Sequence, residues 1–340
     1  MKIRFAAFFI MAAMALCAQE TTNTTIDKWS AGRPDGHAPI SVMGDHMHNQ
    51  GEWMFSYRYM FLNMADLKRE NDDVSFDNAL VDYMVTPTEM PMQMHMLGGM
   101  YAPSDAITIM VMANYVNMTM DHLTRMGGTF TTEVSGLGDV SVSGLFRLFN
   151  RNKSTMHGQF GVSIPTGGVT EMDVIPASAP NSVVLPYPMQ LGSGTFDANL
   201  AMTYLCQGEL LSYGAQVRGV VRLGKNERDF RYGNRLGLNN WLGLKVANWL
   251  SFSARLEGLL AGKINGVDPT LNPDMVITAD TENSGGTYLN SGLGFNLYAP
   301  NGALKNLRLG FEFAYPLYQN LNGVQLKNEE TLTLGLQYSL

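Results

Sequence analysis

Cysteine, long apolar runs and charge are all scarce in this chain, and each shortage removes a class of protein. There are two cysteines. Cys17 falls inside the apolar N-terminal stretch, so an exported form would keep only Cys206, and no disulfide framework is expected. Beyond residue 18 no segment offers ~18 consecutive apolar residues, which excludes a transmembrane helix. Charged residues make up 16% and the net charge is −7, a balance that argues against a nucleic-acid surface. Nucleophile and zinc motifs are missing too: no G-x-S-x-G, H-E-x-x-H or paired-cysteine pattern occurs. His157 and Ser163 share one strand face but stand too far apart along it for a hydrogen bond, so the chain reads as no enzyme.

What is present begins with an address. Lys2 and Arg4 precede an apolar run over residues 5–16, the pattern of a secretory signal peptide ending near residue 18, with Cys17 as an alternative lipid-modified start. The rest holds 35 glycines, 14 tyrosines and 16 phenylalanines, a composition suited to β-structure. Period-two alternation then runs down the chain. Trp53, Phe55, Tyr57, Tyr59 and Phe61 take one face of a segment about ten residues long, the length of a bilayer-spanning strand. Rows of the same kind return at 107–115, 140–148, 160–164, 196–204, 211–221, 236–246, 250–260, 289–297, 307–315 and 332–340.

Connections alternate short and long. Short ones fall at 102–105, 150–154, 206–209, 246–249 and 301–306; long ones fall at 65–88, 121–135, 166–191, 224–234, 265–285 and 319–327. That is the signature of periplasmic turns and extracellular loops in an all-β transmembrane antiparallel β-barrel of about 12 strands. The expected organisation is a signal peptide at 1–18, a periplasmic leader with a Met/His segment at 19–50 and an outer-membrane barrel at 51–340. Leu332, Leu334, Leu336, Tyr338 and Leu340 resemble the C-terminal assembly signal of such barrels, with Leu340 where an aromatic residue is usual.

Phase assigns the faces. Arg58, Arg147, Asp197, Arg218, Arg222, Arg255, Glu257, Arg308 and Glu312 fall opposite the apolar rows and are expected to line the pore. The loop at 166–191, with Pro176, Pro180, Pro186 and Pro188 around Tyr187, reads as a lid or an internal constriction.

Sixteen of the 24 methionines lie between Met43 and Met126. Thioether sulfur suits Cu(I), and methionine is also a pliable apolar filler. Phase turns Met54, Met60, Met64, Met110, Met112, Met118, Met120 and His122 inward. For Met90, Met92, Met94, Met96 and Met100 the usual apolar-out rule points to lipid, with His95 in the lumen. The opposite phase would build a methionine wall across three strands but leave Gln93 and His95 in lipid at a cost. Candidate copper ligands are therefore His46, Met47, His48, His95, Met110, Met112, Met118, Met120 and His122, the first three expected at the periplasmic mouth. Asp268, Asn272, Asp274, Asp280 and Glu282 offer hard oxygens for Ca²⁺ within residues 265–285, but without ordered spacing they read as a solvated acidic loop.

Residues 43–48 (Met43, Gly44, Asp45, His46, Met47, His48), 51–60 and 185–194 resemble a group of bacterial outer-membrane proteins known as transporters and related to the barrel proteins of phenol meta-cleavage pathways. The resemblance implies an outer-membrane barrel of undefined substrate, with no catalytic residues to carry over. The expected function is a channel or transporter for small solutes through a narrow, charged, Met-lined lumen. The alternatives are a barrel that binds or exports Cu(I) or Cu(II), and a structural or adhesive barrel acting through its loops. Expected partners are outer-membrane lipid and lipopolysaccharide, the barrel-assembly machinery and a small solute or metal ion.

Overall fold

Alternation along the strands decides everything about the wall. In Trp53–Glu70, Met54, Ser56 and Arg58 are buried while Trp53, Phe55 and Tyr57 are exposed. In Leu250–Ala261, Ser251, Ser253, Arg255 and Glu257 turn in and Phe252 turns out. Side chains of period two can do this only if the sheet has an inside. The computed structural model, which describes residues 29–340, closes that sheet. The expected signal segment at 1–18 lies outside the described residues.

Eleven strand elements pair antiparallel in chain order, and the ring closes where Leu307–Ser339 meets Trp53–Glu70. Residues 307–321 pair with Gly286–Tyr298 and residues 324–339 with Trp53–Glu70, so this element doubles back at Asn322 and Gly323. The left-handed φ of 62° at Gly323 makes that reversal. With this element crossing twice, the chain crosses twelve times, as expected from the alternating short and long connections. Closure leaves the wall no free edge.

The outward face carries a continuous apolar belt. Leu293 is 66% exposed, and Phe160 and Phe196 are both 55% exposed. Such a surface demands lipid around it. Short turns gather at one end, between Ile107–Thr124 and its predecessor, between Val140–Arg151 and Ser154–Ile164, and between Phe196–Gln207 and Leu211–Leu223.

Two expected long loops are strand instead. Ile107–Thr124 runs on past Asp121 and pairs with Thr129–Leu137 in a hairpin turning at Met126 and Gly127. Residues 319–327 are likewise part of the last element. Where a strand rises beyond the bilayer the apolar face fades although backbone pairing continues, so hydropathy alone ends it too early. Residues 65–88 hold the short helix Phe76–Asp82, capped by Ser75 Oγ accepting from Asn78 N.

Residues 29–50, expected in front of the barrel, have neither helix nor strand, and their central part, 34–48, lies inside it. Asp35, Ala38, Ile40, Val42, Asp45, His46 and His48 in this segment are all under 5% exposed. Cys206 is buried. One prediction concerns the belt. Leu293→Arg, at the middle of its strand, should cost about 2–4 kcal/mol, read as a lower denaturant midpoint for folding into lipid vesicles. A midpoint equal to wild type would contradict a lipid-facing position.

Candidate functional site

An irregular segment inside a barrel brings backbone groups that no ladder satisfies. The wall supplies the donors. Ser251 Oγ donates to Pro34 O (2.8 Å), Arg58 Nε to Ile40 O (3.0 Å), Gln216 Nε2 to Met43 O (2.9 Å) and Arg147 Nη2 to His48 O (3.2 Å). Arg308 Nη2 donates to Ala38 O, and the His157 ring donates from Nε2 to Gly44 O at 2.8 Å. Ser41 Oγ donates to Glu312 Oε1 at 2.8 Å. Two wall glycines make room for the segment: a Cβ at Gly335 or Gly310 would stand 2.5 or 2.9 Å from Ile40.

Within the segment three imidazoles stand edge to face in a row. His37 and His46 have ring centroids 4.4 Å apart, and His46 and His48 4.9 Å. Asp45 sits among them. Its Oδ1 lies 2.9 Å from His46 Nδ1, its Oδ2 accepts from Ala38 N at 3.0 Å, and His37 Nδ1 is 3.7 Å from Oδ2. Burial, then the charge of Arg308, pushes His37 down to about 3. Burial, then His46, pushes His48 down to about 4. Burial alone would raise Asp45, but the neighbouring imidazoles hold it well below the usual carboxylate range. His37 Nδ1, His46 Nε2 and His48 Nε2 are buried without a hydrogen-bond partner. Orphaned polar atoms of this kind cost about 1–3 kcal/mol each.

The second strand takes the phase opposite to expectation. Met90, Met96 and Met100 are buried and Met92 and Met94 half-buried, all on the lumenal face. His95 points out, its Nδ1 2.8 Å from Tyr57 Oη and its ring 5.3 Å from that of Tyr59. The cost that argued against this phase is offset because Tyr57 supplies the partner and the flanking rings shield the imidazole. His95 is therefore not a lumenal ligand. A methionine wall spans three adjacent strands, with Met54 opposite Met100 and Met100 opposite Met110.

The wall divides into two clusters. The lower one joins Met54, Met100, Met110 and Leu145 to Met47 of the inserted segment, with Met112 packed against it. The upper one joins Met90, Met118 and Met120 to Leu185 and Met189 of the long loop. That loop packs inward. Tyr187 is 1% exposed, stands edge-on to Phe230 and holds Asp268 N through its hydroxyl at 3.0 Å. His122 lies higher, stacked on Phe130 at 4.5 Å.

Against residues 41–43 of the segment lies a cavity of about 470 Å³ with two unlike sides. Met60, Met94, Met96, Met110 and Met112 form one. On the other, Arg218 Nη2 donates to Glu257 Oε1 at 2.8 Å, and Arg255 bridges Glu257 at 3.2 Å and Glu312 at 2.6 Å. The charged residues read from phase thus divide by task. Arg58, Arg147, Arg308 and Glu312 hold the inserted segment, and Arg218, Arg255 and Glu257 face the cavity. Arg222 pairs with Asp197, which also accepts from Ser193 and Thr195 at the foot of the long loop. In residues 265–285 several of the oxygen ligands have partners: Asp268 takes Arg228 and Thr270, and Asp280 takes Tyr83 at 2.9 Å. Glu282 takes Lys263, while Asn272 receives Asp274 N in a local turn.

No family model and no curated protein matches the sequence. Among solved structures, a COG4313 outer membrane channel from Pseudomonas putida F1 is similar at 14% identity and TM-score 0.59, covering 88% of this chain and all of that one. The fold is that of bacterial outer-membrane β-barrels. The transport unit of the Escherichia coli autotransporter AIDA-I (12% identity, TM-score 0.48, 88% of this chain and 93% of that one) and a Pseudomonas aeruginosa FadL homologue (9%, 0.47, 90% and 98%) lie further off. The relation to phenol meta-cleavage barrels remains a reading of the sequence.

Sequence reasoning passed over His37, and it placed His157 and Gln216 on lumenal strand faces without the inserted segment as their partner. His37 had a signal in its place beside Asp35, nine residues before His46 in a chain of six histidines. Nothing in the strand residues marks them as partners of a segment so distant in sequence. Removing a charged donor should loosen that segment alone. Arg58→Ala or Arg308→Ala should each cost about 1.5–3 kcal/mol of its attachment, raising amide exchange over residues 34–48 by about 10- to 100-fold. Exchange in the wall strands should not change, and equal acceleration in wall and segment would refute the clamp.

Proposed function

We propose that this chain is an outer-membrane channel for small solutes, with a pathway running through the 470 Å³ cavity and closed from below by residues 29–50. The observation that carries this reading is the two-sided cavity, held inside a belt-wrapped barrel. Thioethers offer a polarizable apolar surface, and Arg218, whose side chain is 49% exposed, offers a guanidinium opposite. An amphipathic solute would lay its apolar part on the methionines and its charged end toward Arg218. The fold shared with the Pseudomonas putida channel supports this reading.

Conductance across planar bilayers tests it. The full chain should pass little steady current, and a variant lacking residues 29–50 should pass several-fold more, because the segment fills the cross-section under the cavity. Absence of current in both would overturn the channel reading and favour a barrel acting through its loops.

A second reading, copper handling, is favoured by the in-register row of Met54, Met100 and Met110. Adjacent strands stand ~4.8 Å apart, so three sulfurs converge on one region beside Met47. Thioethers favour Cu(I). Replacing Met54, Met100 and Met110 together by leucine should abolish Cu(I) binding by the solubilised barrel, and unchanged affinity would end this reading.

A further inference from the structure

We propose that His37, Asp45 and His46 form a binding site for a borderline transition-metal dication, with Cu(II) held most tightly. One ligand atom from each residue lies within 4.8 Å of the others, and all three residues are buried. Imidazole–metal bonds of ~2.0–2.1 Å suit a triangle of that size once the side chains close around the ion. The second observation is an orphaned nitrogen facing the carboxylate: His37 Nδ1, its side chain 7% exposed, lies 3.7 Å from Asp45 Oδ2 and has no hydrogen-bond partner. Buried polar atoms without partners call for one that is absent. His46 Nδ1 already stands 2.9 Å from Asp45 Oδ1, and a dication would take the place of the proton between them.

The choice of ion follows from the charges. Asp45 is the carboxylate of the cluster, while Arg58 and Arg308 grip the carbonyls of Ile40 and Ala38 close by. Two guanidiniums disfavour hard ions such as Ca²⁺ or Mg²⁺, whose binding depends on several anionic oxygens. Affinity must then come from imidazole, and among first-row dications that ranks Cu(II) highest.

The position gives the site a consequence. His37 lies on the incoming arm of the inserted segment and Asp45 and His46 on the outgoing arm, already tied by Ala38 N to Asp45 Oδ2 at 3.0 Å. A shared metal would cross-link the two arms and fix the segment in the lumen. The site stands on these residues alone and does not require the methionine row to take Cu(I) or the cavity to pass a solute.

Cu(II), added as its simple salt to the full chain in detergent against a competing chelator, tests it. One equivalent should bind, with nitrogen couplings of imidazole in the paramagnetic resonance spectrum and slower amide exchange over residues 34–48. His37→Gln and His46→Gln should each weaken binding by at least about 100-fold. Each variant's heat-modifiable mobility on gels reports barrel closure, which involves neither side chain. The Met54/Met100/Met110→Leu variant should bind Cu(II) as wild type does. Binding that survives both histidine changes, binding lost with the methionines alone, or no one-equivalent binding would each overturn the proposal.

Discussion

The lumen is organised by backbone carbonyls that have no strand to pair with. Residues 29–50 run irregularly through a closed barrel, and an unpaired buried carbonyl costs about as much as a lost hydrogen bond. Ser251, Arg308, Arg58, Gln216, His157 and Arg147 meet that need, each from a different strand. The donors surround the segment, so it is held from several sides of the ring. What looks from the sequence like a charged pore lining is in large part the partner set of one buried strip of chain. Past residues 41–43, which line the cavity, Arg218, Arg255 and Glu257 are left to face open space.

The wall was legible because its physics is local. A strand that separates lipid from lumen must alternate, and the alternation names its own faces, which is why Arg58, Glu257 and Glu312 fall inward where phase puts them. Strand Met92–Ser104 shows where that reasoning breaks. Both of its faces carry groups that lipid would accept or tolerate, and the decision rests on Tyr57 of the neighbouring strand, whose hydroxyl partners His95. Phase is a property of one strand, whereas the cost of an outward histidine is a property of two.

The inserted segment was not legible for a different reason. It has no period, so nothing in residues 29–50 distinguishes a solvated leader from a buried one. The evidence for insertion is spread over distant residues: Gly310 and Gly335 opposite Ile40, and a serine, a glutamine and a histidine whose donors meet carbonyls more than 100 residues away. Each of these is ordinary on a lumenal face. His37 was missed in the same way, since it becomes a neighbour of His46 only once the chain has turned back on itself between them.

The partition of methionine against leucine follows from what each touches. Leucines such as Leu200, Leu236, Leu293 and Leu334 face outward, where the neighbour is fluid and any apolar shape will do. Methionines concentrate where the neighbour is irregular backbone: Met54, Met100 and Met110 against Met47 of the inserted segment, and Met90, Met118 and Met120 against Leu185 and Met189 of the long loop. An unbranched side chain with three rotatable bonds can fill the uneven gap between a regular sheet and an irregular strip, where a branched one would leave voids. Met202, exposed on the outside, is an exception to that partition. Packing of this kind accounts for the clusters as clusters. It does not account for the row of His37, His46 and His48, whose polar edges stay unpaired within the same segment, and that difference separates a packing surface from a site.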